Sequence, residues 1–192
     1  MLYKPVVYIT RNLPEPGPSM LSRYCHIKMN DSVMATSKRQ MIEKAKEVDA
    51  IICMLGDKID SEVIYSAGNR LKLISCYSAG YDHVDLEAAK NMKIVVTNTP
   101  EILSETTADL TFALIFAVSR NVVKGDYYVK KAKWKLGWTP DLFLGTDVYG
   151  KVLGIIGLGN IGTKVARRAK GFEMDVIYYN SCLLYTSDAA DD

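Results

Sequence analysis

The segment that most restricts the possible fold is Lys151–Lys170, which reads KVLGIIGLGNIGTKVARRAK. Its apolar run VLGII predicts a buried strand, and the residues TKVARRAK predict a helix. Between them, Gly157, Gly159 and Gly162 form the pattern GxGxxG. A strand, a glycine-rich turn and a helix in this order are typical of the loop that binds the pyrophosphate of a dinucleotide.

Each glycine of this loop has a separate mechanical reason. Gly157 permits the tight turn from strand to helix, Gly159 lets the backbone approach a pyrophosphate, and Gly162 lets the helix pack closely on the strand. The helix N-terminus adds free N–H groups and a positive dipole end. The predicted cofactor contacts in this loop are Gly157, Leu158, Gly159, Asn160, Ile161 and Gly162.

The residue that follows the next predicted strand bears on the choice of cofactor. An acidic side chain about 20 positions beyond the glycine loop usually binds the ribose 2′-hydroxyl of NAD. Asn180 stands at about that distance. An amide does not repel a 2′-phosphate as a carboxylate would. Asn180 therefore favours NADP weakly, and NAD remains the alternative.

The first hundred residues alternate between short apolar runs and helical patterns. Predicted strands are Val6–Thr10, His26–Met29, Ala50–Leu55, Leu71–Tyr77 and Ile94–Asn98, and predicted helices are Ser37–Val48, Ser61–Ala67 and Asp85–Asn91. Continuous apolar strands that alternate with helices favour a parallel sheet covered on both faces. The fold class is therefore α/β.

Two helices are predicted before the glycine loop, at Glu101–Val118 and Val123–Lys133. Pro100 precedes the first of them, and Glu101 and Glu105 would occupy its first turn, where the helix dipole favours acidic groups. Its apolar part, Ala108–Val118, is far shorter than the roughly 20 residues of a membrane span. A last strand is predicted at 174–179.

Composition excludes several classes of function. The chain has 24 basic and 22 acidic residues, and no run of like charge suggests a nucleic-acid or membrane surface. The N-terminus lacks the apolar region of a signal peptide. The four cysteines show no CxxC spacing, which favours buried free thiols in a reducing cytoplasm over disulfides or a metal site.

Three further motifs accompany the glycine loop. They are SAGYDHVD at 78–85, NTPEILSETTAD at 98–109 and FLGTDVYGK at 143–151. With GIIGLGNIG at 154–162, they resemble the D-2-hydroxy-acid dehydrogenase family, and most closely its glyoxylate and hydroxypyruvate reductases. The resemblance covers about residues 3–180.

The resemblance implies a flavodoxin-like substrate-binding domain over residues 1–99, followed by the start of a Rossmann domain at 100–180. It implies hydride transfer between NAD(P)H and a small 2-keto acid, giving a 2-hydroxy acid, in a homodimer. By this resemblance the substrate contacts are Leu55, Gly56, Ser78, Ala79 and Gly80, and Thr107 lies near the nicotinamide. A small-residue turn after a strand can point N–H groups at a carboxylate.

The resemblance also implies an acid–base histidine, a carboxylate that orients it, and an arginine that binds the keto acid. In the family all three come after the point where this sequence stops. Its two histidines, His26 and His83, precede the glycine loop, so we expect no catalysis by this chain alone. Residues 181–192, SCLLYTSDAADD, resemble translated sequencing-adapter read-through and are expected to be non-native.

A second function of another class uses the same fold. Some relatives of these dehydrogenases are corepressor modules that bind a dinucleotide and recruit peptides. The segment FLGTDVYGK at 143–151 favours the reductase.

Overall fold

The structure, a computed structural model, describes residues 3–32, 34–135, 137 and 139–180. The chain divides into two compact units, the first ending at Pro100 and the second beginning at Glu101. The interpretation of residues 181–192 as non-native lies outside the described residues. None of the helices in the described ranges is both long and apolar enough to cross a membrane.

The first unit is a five-stranded parallel sheet with the strand order β2-β1-β3-β4-β5. Its strands are β1 (Val6–Ile9), β2 (His26–Met29), β3 (Ala50–Cys53), β4 (Leu73–Cys76) and β5 (Val95–Thr97). Its helices are α1 (Gly17–Ser22), α2 (Lys38–Ala45), α3 (Ser61–Ser66) and α4 (Leu86–Asn91). This order is the flavodoxin-like one, which confirms the predicted fold class.

Local side-chain caps explain where the helices of this unit begin. Ser37 and Gln40 form a reciprocal capping box at the start of α2. Asp60 and Asp85 accept hydrogen bonds from backbone N–H groups in the first turns of α3 and α4. These caps satisfy N–H groups that have no partner inside the helix.

The two faces of this sheet are covered unequally. One face forms the main core, with Ile51, Ile74 and the helices α2, α3 and α4 packed against it. The other face, which includes Val7 and Leu73, borders a groove of about 720 Å³. Helix α1 and its flanking residues pack on this face and bury Val7, Ile9 and Ala50, so both faces are covered as predicted, the second over a smaller area.

The second unit pairs two parallel strands with three helices. Its elements are α5 (Ser104–Ser119), α6 (Val122–Lys130), β6 (Val152–Ile156), α7 (Asn160–Lys170) and β7 (Asp175–Tyr179). The rings of Phe112, Phe116 and Phe172 pack together with centroids 4.9 to 6.1 Å apart. With Val165 and Ala169 they form the core between α5 and α7.

Helix α5 begins three residues later than the sequence predicts. Glu101 has a φ of +67°, which is incompatible with a helix, and the first helical residue is Ser104. Glu105 is therefore the acidic residue of the first turn. Hydrogen bonds from Lys164 and Arg168 of α7 hold the pKa of its carboxyl group below the usual value.

Candidate functional site

The glycine loop joins β6 to α7 by a turn that two of its glycines make possible. Gly157 has a φ of +91°, a conformation that side chains rarely adopt. A Cβ on Gly162 would lie 2.3 Å from the Gly157 carbonyl oxygen. The close packing predicted at Gly162 is thus present, and its partner is the backbone of the turn itself.

Helix α7 presents an open N-terminus. It begins at Asn160, three residues earlier than the sequence predicts, so Ile161 and Gly162 belong to its first turn. Gly159 is the N-cap and supplies no side chain to cap the N–H groups. A Cβ on Gly159 would meet no described atom within 4 Å. An anion could therefore approach the helix N-terminus, where the free N–H groups and the helix dipole favour a negative charge.

Asn180 directly follows β7, beside the start of the glycine loop. Ile156 pairs with Tyr179 in the parallel register, and the Gly157 N–H donates to the Tyr179 carbonyl at 2.8 Å. Strand pairing therefore carries Asn180 to the carboxyl edge of the two-stranded sheet, where a doubly wound fold binds its ligands.

The remaining predicted cofactor contacts differ in exposure. Leu158 is buried, whereas the side chain of Ile161 is exposed. Thr107 lies in the first turns of α5, where its hydroxyl donates to the Leu103 carbonyl at 2.7 Å. That bond leaves the hydroxyl oxygen able to accept a hydrogen bond from a ligand.

The predicted substrate contacts of the first unit follow two neighbouring strands. Leu55 and Gly56 come after β3, and the segment Ser78–Gly80 comes after β4. A Cβ on Gly80 would lie 3.8 Å from a methyl carbon of Leu55, so the structure brings the two segments together. The carboxyl ends of parallel strands are where such folds bind ligands.

Hydrogen bonds hold the second of these segments in place. The Ser78 hydroxyl donates to the Gly80 carbonyl at 2.6 Å, and the Asn98 amide donates to the Ala79 carbonyl at 2.7 Å. Within the described part of the chain, the N–H groups of Ala79 and Gly80 have no acceptor. Because the carbonyls of this segment accept internal hydrogen bonds and its N–H groups have no acceptor, the N–H groups could bind an anion.

Sequence reasoning missed two charged residues beside this site. A Cβ on Gly56 would lie 3.2 Å from the Arg11 guanidinium, which also pairs with Asp57 at 3.3 Å. The Asp57 side chain is fully buried and accepts hydrogen bonds from the Thr10 hydroxyl and the Met54 N–H. No local pattern marks these residues, because the sheet alone brings residues 10–11 beside residues 54–57.

Each unit contains parallel strands and helices; the first has two N–H groups without an acceptor among the described residues after β4, and the second has the glycine loop between β6 and α7. Residues 7–191 match the model of the D-isomer specific 2-hydroxyacid dehydrogenase catalytic domain. The chain belongs to that family, whose members are oxidoreductases.

Known relatives agree with this assignment. The chain is 46% identical over 178 residues to a glyoxylate reductase of Korarchaeum cryptofilum, covering 93% of this chain and 53% of the relative. A crystal structure of a Thermus thermophilus protein superposes with a TM-score of 0.88 at 40% identity, covering 95% of this chain and 58% of that one.

A third relative was solved with ligands. An acyclic imino acid reductase in complex with NADPH and D-Arg superposes with a TM-score of 0.76 at 27% identity, covering 90% of this chain and 55% of that one. The chain thus spans about half the length of the relatives it matches.

Proposed function

We propose that the protein to which these residues belong reduces glyoxylate or hydroxypyruvate to the 2-hydroxy acid, with NADPH or NADH as the hydride donor. Its first unit binds the keto acid and its second unit binds the dinucleotide. The observation that carries the proposal is the open N-terminus of α7 behind Gly159, in a family of 2-hydroxyacid dehydrogenases.

The glycine loop fits a dinucleotide in shape and charge. A Cβ on Gly159 would meet no described atom within 4 Å, so a pyrophosphate can approach the backbone there, and the first-turn N–H groups of α7 would donate to it. Asn180 accepts or donates hydrogen bonds at the ribose without adding a negative charge, which favours NADP over NAD. When bound, the reduced nicotinamide supplies the hydride.

The first unit supplies charge-selective binding of the substrate. The free N–H groups of Ala79 and Gly80 donate to the substrate carboxylate, and the neighbouring, exposed Leu55 side chain adds an apolar surface beside them. The Arg11 guanidinium, paired with Asp57 beside Gly56, offers further N–H donors at the same edge of the sheet. Together they prefer a small acid over a neutral carbonyl compound.

The 192-residue chain is expected to bind NADPH but not to oxidise it in the presence of glyoxylate. Its only histidines are His26 and His83, and no histidine follows the glycine loop to act as the acid–base group. Calorimetry measures binding and the loss of NADPH absorbance measures turnover. Gly159→Arg, which fills the pyrophosphate space, is expected to abolish binding.

Three outcomes of this experiment would count against the proposals. Turnover that Gly159→Arg abolishes would show that the chain is catalytic by itself. A folded wild-type chain that binds neither NADPH nor NADH would contradict the cofactor site. Binding of peptides together with a dinucleotide would instead favour the corepressor alternative.

A homodimer is proposed to form through α5. Leu110, Leu114 and Val118 make an apolar stripe on this helix, and each is more than half exposed. We expect Leu114→Glu with Val118→Glu to shift the chain toward monomers in analytical ultracentrifugation, because a charge would be buried in the interface. Lys124→Glu, on the next helix, is the matched control. An unchanged mass distribution in both variants would place the interface elsewhere.

A further inference from the structure

A cluster of two buried thiols and an imidazole lies in the first unit, at the ends of two neighbouring strands. Cys53 ends β3, Cys76 ends β4, and His83 belongs to the loop that follows β4. Both cysteines are almost completely buried. The three ligand atoms all lie within 4.8 Å of one another. The proposed oxidoreductase chemistry uses none of them.

The spacing within the cluster is that of a metal site. The two sulfur atoms are 3.9 Å apart, and Cys53 Sγ lies 3.5 Å from His83 Nε2. A tetrahedral zinc ion with Zn–S bonds of about 2.3 Å and a Zn–N bond of about 2.0 Å separates two sulfurs by about 3.8 Å. It separates a sulfur from a nitrogen by about 3.5 Å.

The backbone fixes all three residues before any ion binds. Cys53 and Cys76 are direct partners in the parallel register of β3 and β4. The Ile59 N–H donates to the His83 carbonyl at 2.9 Å, and a bridge between Ile59 and Val84 fixes the same loop. A preformed set of ligands lowers the entropy cost of binding.

Charge balance selects the kind of ion. Two thiolates and a neutral imidazole around a divalent cation have no net charge, whereas a monovalent ion would leave a buried negative charge close to Asp57. A cysteine binds such an ion as the thiolate, so binding releases two protons as the two S–H bonds are replaced by metal–sulfur bonds.

We propose that Cys53, Cys76 and His83 bind one thiophilic divalent cation such as Zn²⁺, with its fourth position open to water. Three protein ligands and one exchangeable position are a common arrangement for zinc. The Nδ1 atom of His83 is buried and has no hydrogen-bond partner among the described residues. With Nε2 on the ion, Nδ1 carries the ring proton.

Cobalt titration of the reduced chain tests the site. We expect one Co²⁺ per chain with a thiolate-to-cobalt charge-transfer band, and displacement of that band by Zn²⁺. Cys53→Ser, Cys76→Ser and His83→Asn are each expected to lose tight binding. Cys25→Ser and Cys182→Ser, which remove the other two thiols of the chain, are the matched controls and are expected to retain it.

X-ray absorption of the zinc-loaded wild-type chain needs no variant to fold. Two sulfur neighbours at about 2.3 Å are expected in the first shell of the zinc ion. A shell of oxygen and nitrogen alone would overturn the proposal, as would a cobalt band that survives Cys53→Ser but is lost in either control. A chain that takes up no ion with its thiols shown to be reduced would also overturn it.

Discussion

Replacing Gly162 with alanine is expected to lower the free energy of unfolding of the second unit by about 1–3 kcal/mol. The added Cβ would lie 2.3 Å from the Gly157 carbonyl oxygen and 3.2 Å from its carbonyl carbon. Both atoms belong to the backbone of the glycine turn, so α7 must move away from β6. Denaturant unfolding followed by circular dichroism measures the loss.

Gly159→Ala is the matched control, in the same motif. Its Cβ would enter open space, so the stability of the chain is expected to change little while its affinity for NADPH falls. Equal losses of stability in the two variants would contradict the assignment of separate packing and binding roles to these glycines.

Replacing Asp57 with alanine is expected to lower the free energy of unfolding of the first unit by about 3–5 kcal/mol. The carboxylate is fully buried and binds three groups from two strand ends: the Thr10 hydroxyl, the Met54 N–H and the Arg11 guanidinium. Its removal leaves the Thr10 hydroxyl and the Met54 N–H without this acceptor and the partly exposed Arg11 guanidinium without its counter-ion, and each unsatisfied buried donor costs about 1–3 kcal/mol. Urea unfolding measures it.

Two further variants separate the effect of the buried charge from that of side-chain removal in general. Asp31→Ala removes an exposed carboxylate and is expected to change stability by no more than about 0.5 kcal/mol. Arg11→Met together with Asp57→Ala removes both charges and is expected to recover part of the loss. If Asp57→Ala lowered the stability as little as Asp31→Ala, Asp57 would not stabilise the fold by joining the ends of β1 and β3.

The sequence predicts best those features that depend on residues close together in the chain. It predicts the strands His26–Met29 and Val152–Ile156 with their observed bounds. The burial predicted for Val152–Ile156 is wrong for the described residues, since the side chains of this strand alternate between exposed and half-buried. The cap at Asp85 is also readable, since a side-chain cap acts within three residues.

The sequence is least informative where strand pairing brings distant residues together. Arg11 and Asp57 are 46 residues apart, and nothing near either one predicts their ion pair. The absence of CxxC spacing argues against a metal site, yet the register of β3 and β4 sets Cys53 opposite Cys76. Register depends on the whole sheet, so a motif search along the chain does not detect such a cluster.

Helix boundaries form an intermediate case. The sequence predicts that α5 starts directly after Pro100, on the general preference for proline and acidic residues in the first turn. The observed backbone instead passes through a positive φ at Glu101 before the helix begins at Ser104. The preference for proline and acidic residues at a helix start is weak, so the packing of α5 against α7 can shift the first helical residue.

The hydrogen bond from the Gly157 N–H to the Tyr179 carbonyl links the cofactor loop to the strand that follows α7. Parallel strands can pair only when the connecting helix has crossed the sheet. The turn at Gly157 and the end of β7 are therefore expected to form together during folding. Under the proposed function, occupancy of the loop and pairing of β7 would be linked equilibria. A dinucleotide bound at α7 would stabilise the strand, and stable pairing of the strand would raise the affinity for the dinucleotide by the same factor.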